Sequence, residues 1–108
     1  MPLANDKLYE MHAAVCKALG HPARMKVLDL LREGEECVCR LAPKVGVTES
    51  NLSQALAVLR RAGLVENRRE GHSIYYRVRD ERIFAVIDGM REILADLLAE
   101  ASDLAVVF

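Results

Sequence analysis

A mainly α-helical domain carrying one small β-hairpin, in the order ααααββα, is the fold class this sequence predicts. Three observations predict it. Apolar residues recur at helical spacing in stretches that Gly or Pro interrupts. One late segment, SIYYRVR, switches to alternation with period two. The length of 108 residues sets the domain count at one, spanning 1–108, because halving it would leave each part short of core. There is no internal repeat, low-complexity tract or interdomain linker.

The first helix, about 5–19, places Leu8, Met11, Val15, Ala18 and Leu19 on a stripe expected to be buried. Gly20 stops it, and Pro22 fits the first turn of a second helix, about 22–33. That helix carries Met25, Val27, Leu28, Leu30 and Leu31 until Glu33-Gly34. A short third helix, about 38–45, ends at Gly46, which supplies the positive φ of a tight turn. Thr48 caps a fourth helix, about 48–62, which Gly63 closes. The hairpin, 64–79, folds LVENRR onto SIYYRVR through Glu70-Gly71-His72, with Ile74, Tyr76 and Val78 on one face. A long last helix, about 80–101, repeats apolar residues at Ile83, Val86/Ile87, Met90, Ile93/Leu94 and Leu97/Leu98.

Apolar residues make up 52% of the chain and charged residues 29%, a soluble globular balance. No apolar run approaches the roughly 20 residues of a membrane span, and the start, MPLANDKLYEMHAAV, does not read as a signal peptide. Three cysteines give no disulfide framework, so reduced thiols in a cytoplasmic protein are expected. The net charge of −1 conceals a segregation: residues 40–79 hold eight Lys/Arg against three Asp/Glu, and residues 80–108 hold two against seven. A basic middle can meet a polyanion.

The fourth helix shows how. Leu52, Leu56 and Leu59 share the sector that must face a core, which turns Ser50, Asn51, Ser53, Gln54, Ala57, Arg60 and Arg61 outward. Such a face suits a DNA major groove: Gln pairs with adenine, Ser with several base edges, Ala with a thymine methyl, Arg with guanine or phosphate. A solvated helix face has the same composition, so the neighbours decide. Immediately before lie a short helix and the turn KVGV, making a helix-turn-helix; immediately after lies a hairpin bearing Arg68, Arg69, His72, Arg77 and Arg79. Those cations can follow adjacent phosphates. The expected DNA-binding residues are Thr48, Ser50, Asn51, Ser53, Gln54, Ala57, Arg61, Arg68, Arg69 and His72, and the architecture is a winged helix-turn-helix.

ALGHPARMKVLDLLREGEECVCRLA, followed by TESNLSQALAVLRRAGLVENRREGHSIYYRV, resembles the ArsR/SmtB family of winged-helix repressors over about residues 8–98. The resemblance implies a homodimeric bacterial or archaeal repressor that releases its operator when an effector binds. One departure is Ser53-Gln54-Ala55-Leu56, where the family often has Ser-x-His-Leu. Ala55 points to the flank of the core face, so repacking is expected there. The stripe of the last helix exceeds what one small domain needs, so the first and last helices are expected to pair across a twofold and set two recognition helices at successive major grooves.

Cys37 and Cys39, in ECVCRLA, open the third helix. In a regular helix, positions i and i+2 point about 200° apart. At a helix start both sulfurs can converge, and unpaired N–H groups favour the thiolates that bind soft metals. Glu33, Glu35 and Glu36 disfavour a thiolate but attract a cation. The resemblance implies more: members that answer to arsenite, antimonite, cadmium or lead carry Cys-Val-Cys at this place. Ala42 stands where arsenite-responsive members often have a third cysteine. Cys16, about 80° from Leu8 at the margin of the first helix's stripe, reads as a buried structural thiol, yet it is also the candidate to complete a three-sulfur site. The expected effector is a thiophilic ion: As(III) or Sb(III) on three thiolates, or Cd, Pb or Zn, with a fourth ligand such as His12 or a carboxylate wanted for Zn or Cd. The last helix has no histidine, so the zinc site that some members build there is absent. No organic cofactor is expected. A redox- or sulfur-responsive dithiol and a protein-binding winged helix are the alternatives. Catalysis has no support, since there is no phosphate-cradling loop and no group to orient a histidine.

Overall fold

The structure, a computed structural model, describes residues 6–107; the expected helix start at residue 5 lies outside the described residues. The elements are α1 (Asp6–Leu19), α2 (Pro22–Leu30), β1 (Glu36–Cys37), α3 (Val38–Val45), α4 (Glu49–Arg61), β2 (Val65–Glu70), β3 (Ser73–Val78) and α5 (Arg82–Val107). The mainly helical class with a wing is the one the sequence predicts, but the sheet has a third strand. β1 joins the hairpin to give an antiparallel sheet in the order β1-β3-β2.

Short-range chemistry explains the breaks. His21 caps α2 by accepting the Ala23 N–H on Nδ1 at 3.2 Å, and Arg24 donates back to the Ala18 carbonyl at 2.6 Å, closing the end of α1. α2 ends at Leu30, earlier than the expected 33. The Leu31 N–H is shared between the Val27 and Leu28 carbonyls, which tightens the last turn. At the hairpin tip Glu70 pairs with Ser73 across Gly71-His72, and Gly71 has φ 62, which a glycine at the first turn position supplies without strain.

The core is built by α2, α3 and α4. Val27, Leu28, Leu41, Leu52, Leu56 and Leu59 are fully buried, joined by Val65 and Tyr76 from the wing and Ile87 from α5. Two ion-pair arms pin α5 onto α2: Asp29 accepts from Arg32 and Arg91, and Arg32 donates both to Asp29 and, bidentately, to Asp88 at 2.6 and 3.0 Å. These arginines hold the Asp29 and Asp88 carboxyls below the usual aspartate range.

The stripe of α1 is a correction. Only Ala18 of that helix is buried, while Leu8 and Met11 are exposed. In the same way Val86, Met90, Ile93, Leu94, Leu97 and Leu98 of α5 face outward. Part of each stripe, Val15 and Leu19 on α1 and Ile83 and Ile87 on α5, packs on the core, and the rest of the periodicity is exposed.

Candidate nucleic-acid interface and the adjoining thiol pair

Thr48 accepts the Asn51 N–H on Oγ1 at 3.1 Å and so fixes where α4 begins. Gly46, at φ 80, turns the chain between α3 and α4. Leu52, Ala55, Leu56 and Leu59 are buried, so the register of α4 is settled by the core. Ser50, Asn51, Ser53, Gln54, Arg60 and Arg61 are therefore exposed, with Ala57 half-buried on the same helix. Ala55 lies in the core, 8% exposed, where a histidine would have to displace neighbours.

The wing divides its cations. Cross-strand register puts Glu66, Arg68, Glu70, Ser73, Tyr75 and Arg77 on one face and Val65, Asn67, Arg69, Ile74, Tyr76 and Val78 on the other. Arg69 and His72 are exposed, and Arg40, Arg60, Arg61, Arg69 and Arg79 make no ion pair among the described residues. Arg77 is held by Glu66 at 2.7 Å. Arg68 is held more fully: Nε and Nη2 donate to Glu35 at 2.6 to 2.9 Å, Nη1 donates to Glu70, and its guanidinium lies 4.7 Å from the centre of the Tyr75 ring. The hydrogen bonds from Arg68 hold the Glu35 carboxyl below its ordinary range, against the cost of partial desolvation. Sequence spacing could not have found this pair, because its members are 33 residues apart.

The two sulfurs meet. Cys37 is in extended backbone, φ −71 and ψ 140, whereas Cys39 is already in α3, so both side chains reach one place with Cα atoms 5.2 Å apart. They are joined as a disulfide, in place of the expected reduced thiols, and Cys37 Sγ also accepts the Cys39 N–H at 3.2 Å as the cap of the helix. Cys37 is 5% exposed, while Cys39 faces solvent. Pro43, inside α3, removes the N–H that would have bonded the Cys39 carbonyl.

Two expectations about the surroundings change. Glu35 and Glu36 are engaged by Arg68 and Lys44 rather than free to attract a cation. Cys16 is a free, exposed thiol on α1, not a buried one, and His12 is exposed on the same helix. Among the described residues of one chain, no three His, Cys, Asp or Glu side chains converge as a metal site would need. The pair alone offers two sulfurs, too few for the three or four ligands of a closed thiolate site.

A helix-turn-helix whose second helix turns a short polar face outward, flanked by a wing with unpaired cations, defines a winged helix-turn-helix DNA-binding transcriptional regulator. Residues 21–67 match the family model described as bacterial regulatory protein, arsR family. The chain is 39% identical over 99 residues to the HTH-type transcriptional regulator Rv0081 of Mycobacterium tuberculosis, covering 91% of this chain and 87% of that one. The crystal structure of that regulator superposes with a TM-score of 0.78 at 41% identity, over 86% and 94% of the two chains. A biofilm growth-associated repressor of Agrobacterium fabrum is 38% identical over 78 residues, 72% of this chain and 67% of the relative. The solution structure of a homodimeric winged helix-turn-helix DNA-binding domain, Mb0332 of Mycobacterium bovis, superposes at 0.75 with 36% identity over 93% and 92%. The chain belongs to the ArsR family of transcriptional regulators. It is a regulator and not an enzyme, as the family and these relatives are. No helix among the described residues is long and apolar enough to cross a membrane.

Proposed function

We propose that this chain is a homodimeric repressor of a palindromic operator on cytoplasmic DNA, and that the Cys37–Cys39 pair sets its DNA affinity as a dithiol switch. The observation that carries the switch is the position of the bonded sulfurs at the cap of α3, the helix that braces α4. Closing the bond takes two electrons and two protons from the thiols, which a hydroperoxide accepts in becoming an alcohol and water. A coupling of about 1–3 kcal/mol between sulfur and DNA changes operator affinity roughly 5- to 150-fold. The dimer reading is supported by the uncovered apolar faces of α1 and α5 and by the homodimeric relative.

A second reading is favoured by one observation, the exposed Cys16 on α1. In a dimer built on α1 and α5, that thiol or His12 of a second subunit would be the candidate to complete a site with the reduced pair. As(III), Sb(III), Cd, Pb or Zn would then be the effector.

The experiment first selects an operator from a random duplex library, then titrates the DNA complex with hydroperoxide, organic persulfide, arsenite, antimonite, cadmium, lead and zinc. Release by oxidant, with loss of two hydrogen atoms in the intact mass, supports the dithiol switch; release by an ion with retention of that ion supports the second reading. Cys37→Ser and Cys39→Ser should keep operator binding and lose release, and Cys16→Ser should lose it only for the ion. Release that persists in the Cys37 and Cys39 variants rules out both readings. Gln54→Ala should change sequence preference, whereas Arg69→Ala should weaken all sequences and flatten the salt dependence by about one per subunit.

A further inference from the structure

The short strand β1 places the thiol pair in direct register with the wing. Cys37 is opposite Tyr75 on β3, and Tyr75 is opposite Arg68 on β2, so the three residues form one row across the sheet. The guanidinium of Arg68 stacks on the Tyr75 ring of that row. Glu35, two residues before Cys37, then grips the same guanidinium through both carboxylate oxygens.

Arg68, like Arg77, differs here from five other arginines near the interface, and among the described residues it alone of the wing has two carboxylate partners. Arg40, Arg60, Arg61, Arg69 and Arg79 carry no carboxylate partner among the described residues, whereas Arg68 is satisfied by two. A carboxylate held by the Nε and Nη2 donors of arginine has the planar, two-point geometry with which arginine grips a phosphate. Glu35 and a DNA phosphate therefore compete for the same donors.

We infer that Glu35 is a built-in phosphate mimic, which keeps Arg68 from DNA while Cys37 and Cys39 are joined. This rests on the dithiol reading for its control but not for the mimicry itself. The control follows from the connectivity. The bond ties the end of β1 to the first turn of α3, and β1 in turn sets where Glu35 projects. Gly34, at φ 128, allows residues 34–36 a path that a side chain would restrict, so opening the bond frees the segment to swing away from the wing. Arg68 then exchanges a carboxylate for a phosphate. Glu35 and Arg68 meet at an open groove of about 850 Å³ beside the wing, so the pair is not locked in by packing.

The test uses the full chain, in its oxidised and its reduced form, with a fluorescent random-sequence duplex and anisotropy across a range of salt. In the oxidised protein Arg68→Ala should leave affinity and salt slope unchanged, because Arg68 is already withheld. Glu35→Gln should tighten the oxidised protein about 3-fold per subunit, roughly 10-fold for a dimer, and steepen the slope by about 0.9 per subunit. The double variant should return to the oxidised wild-type value. In the reduced protein Arg68→Ala should weaken binding and Glu35→Gln should change little. An Arg68→Ala loss equal in both redox forms, or no gain from Glu35→Gln in the oxidised form, overturns the inference. An affinity indifferent to oxidant, with the Glu35→Gln gain present in both forms, overturns thiol control and leaves the mimicry standing. Oxidant sensitivity without that gain overturns the mimicry alone.

Discussion

Replacing Ile93 by Asp should separate the subunits without unfolding them. Val86, Met90, Ile93 and Leu97 follow one another at helical spacing on α5 and are 61%, 56%, 56% and 54% exposed. None of the four packs against the core cluster of its own chain. Full burial of such a side chain is worth about 1.5–3 kcal/mol, so the uncovered half leaves about 1 kcal/mol each to be gained from a partner. Twofold symmetry counts Ile93 twice, about 2 kcal/mol in all, and two carboxylates at an apolar contact add a desolvation penalty. The dimer dissociation constant should rise at least about 30-fold. Sedimentation equilibrium across the micromolar range measures it, and circular dichroism checks that the helices persist. Operator affinity should fall with the dimer, because one recognition helix then meets one half-site. An unchanged dissociation constant in a folded Ile93→Asp variant would show that the stripe of α5 is not the contact surface.

Two further outcomes test how the fold is held. Asp29 and Asp88 have carboxyls depressed by Arg91 and Arg32, so their stabilising effect is complete above about pH 5 and is lost as pH falls through their folded values, below the ordinary value of about 3.9. Arg91→Ala should therefore lower the urea midpoint at pH 7 and match the wild type once both aspartates are protonated; a difference that persists there points to lost packing. Leu56→Ala empties a fully buried site at the centre of α4 and should cost about 2–5 kcal/mol in chemical denaturation. A cost under about 1 kcal/mol would place that helix on the core differently.

The most legible elements in the sequence were those with a repeating period. The outward face of α4 followed from three leucines at helical spacing, and the wing followed from alternation around a glycine turn. β1 was not legible, since two residues show no period and its partner lies nearly forty positions later. Spacing also cannot tell a stripe that faces a core from one that faces away from it, so it puts Leu8, Met11 and Cys16 inside although they are exposed. Arg68 illustrates a different limit. Composition marks it as a cation for phosphate, but only tertiary structure shows that Glu35 holds it.

The row Cys37–Tyr75–Arg68 makes the route from sulfur to wing very short, two strand spacings or about 10 Å. The proposed switch would therefore lie wholly within one subunit and would need no concerted rearrangement of its twin. On the proposed dithiol reading, oxidising one copy would loosen one half-site first.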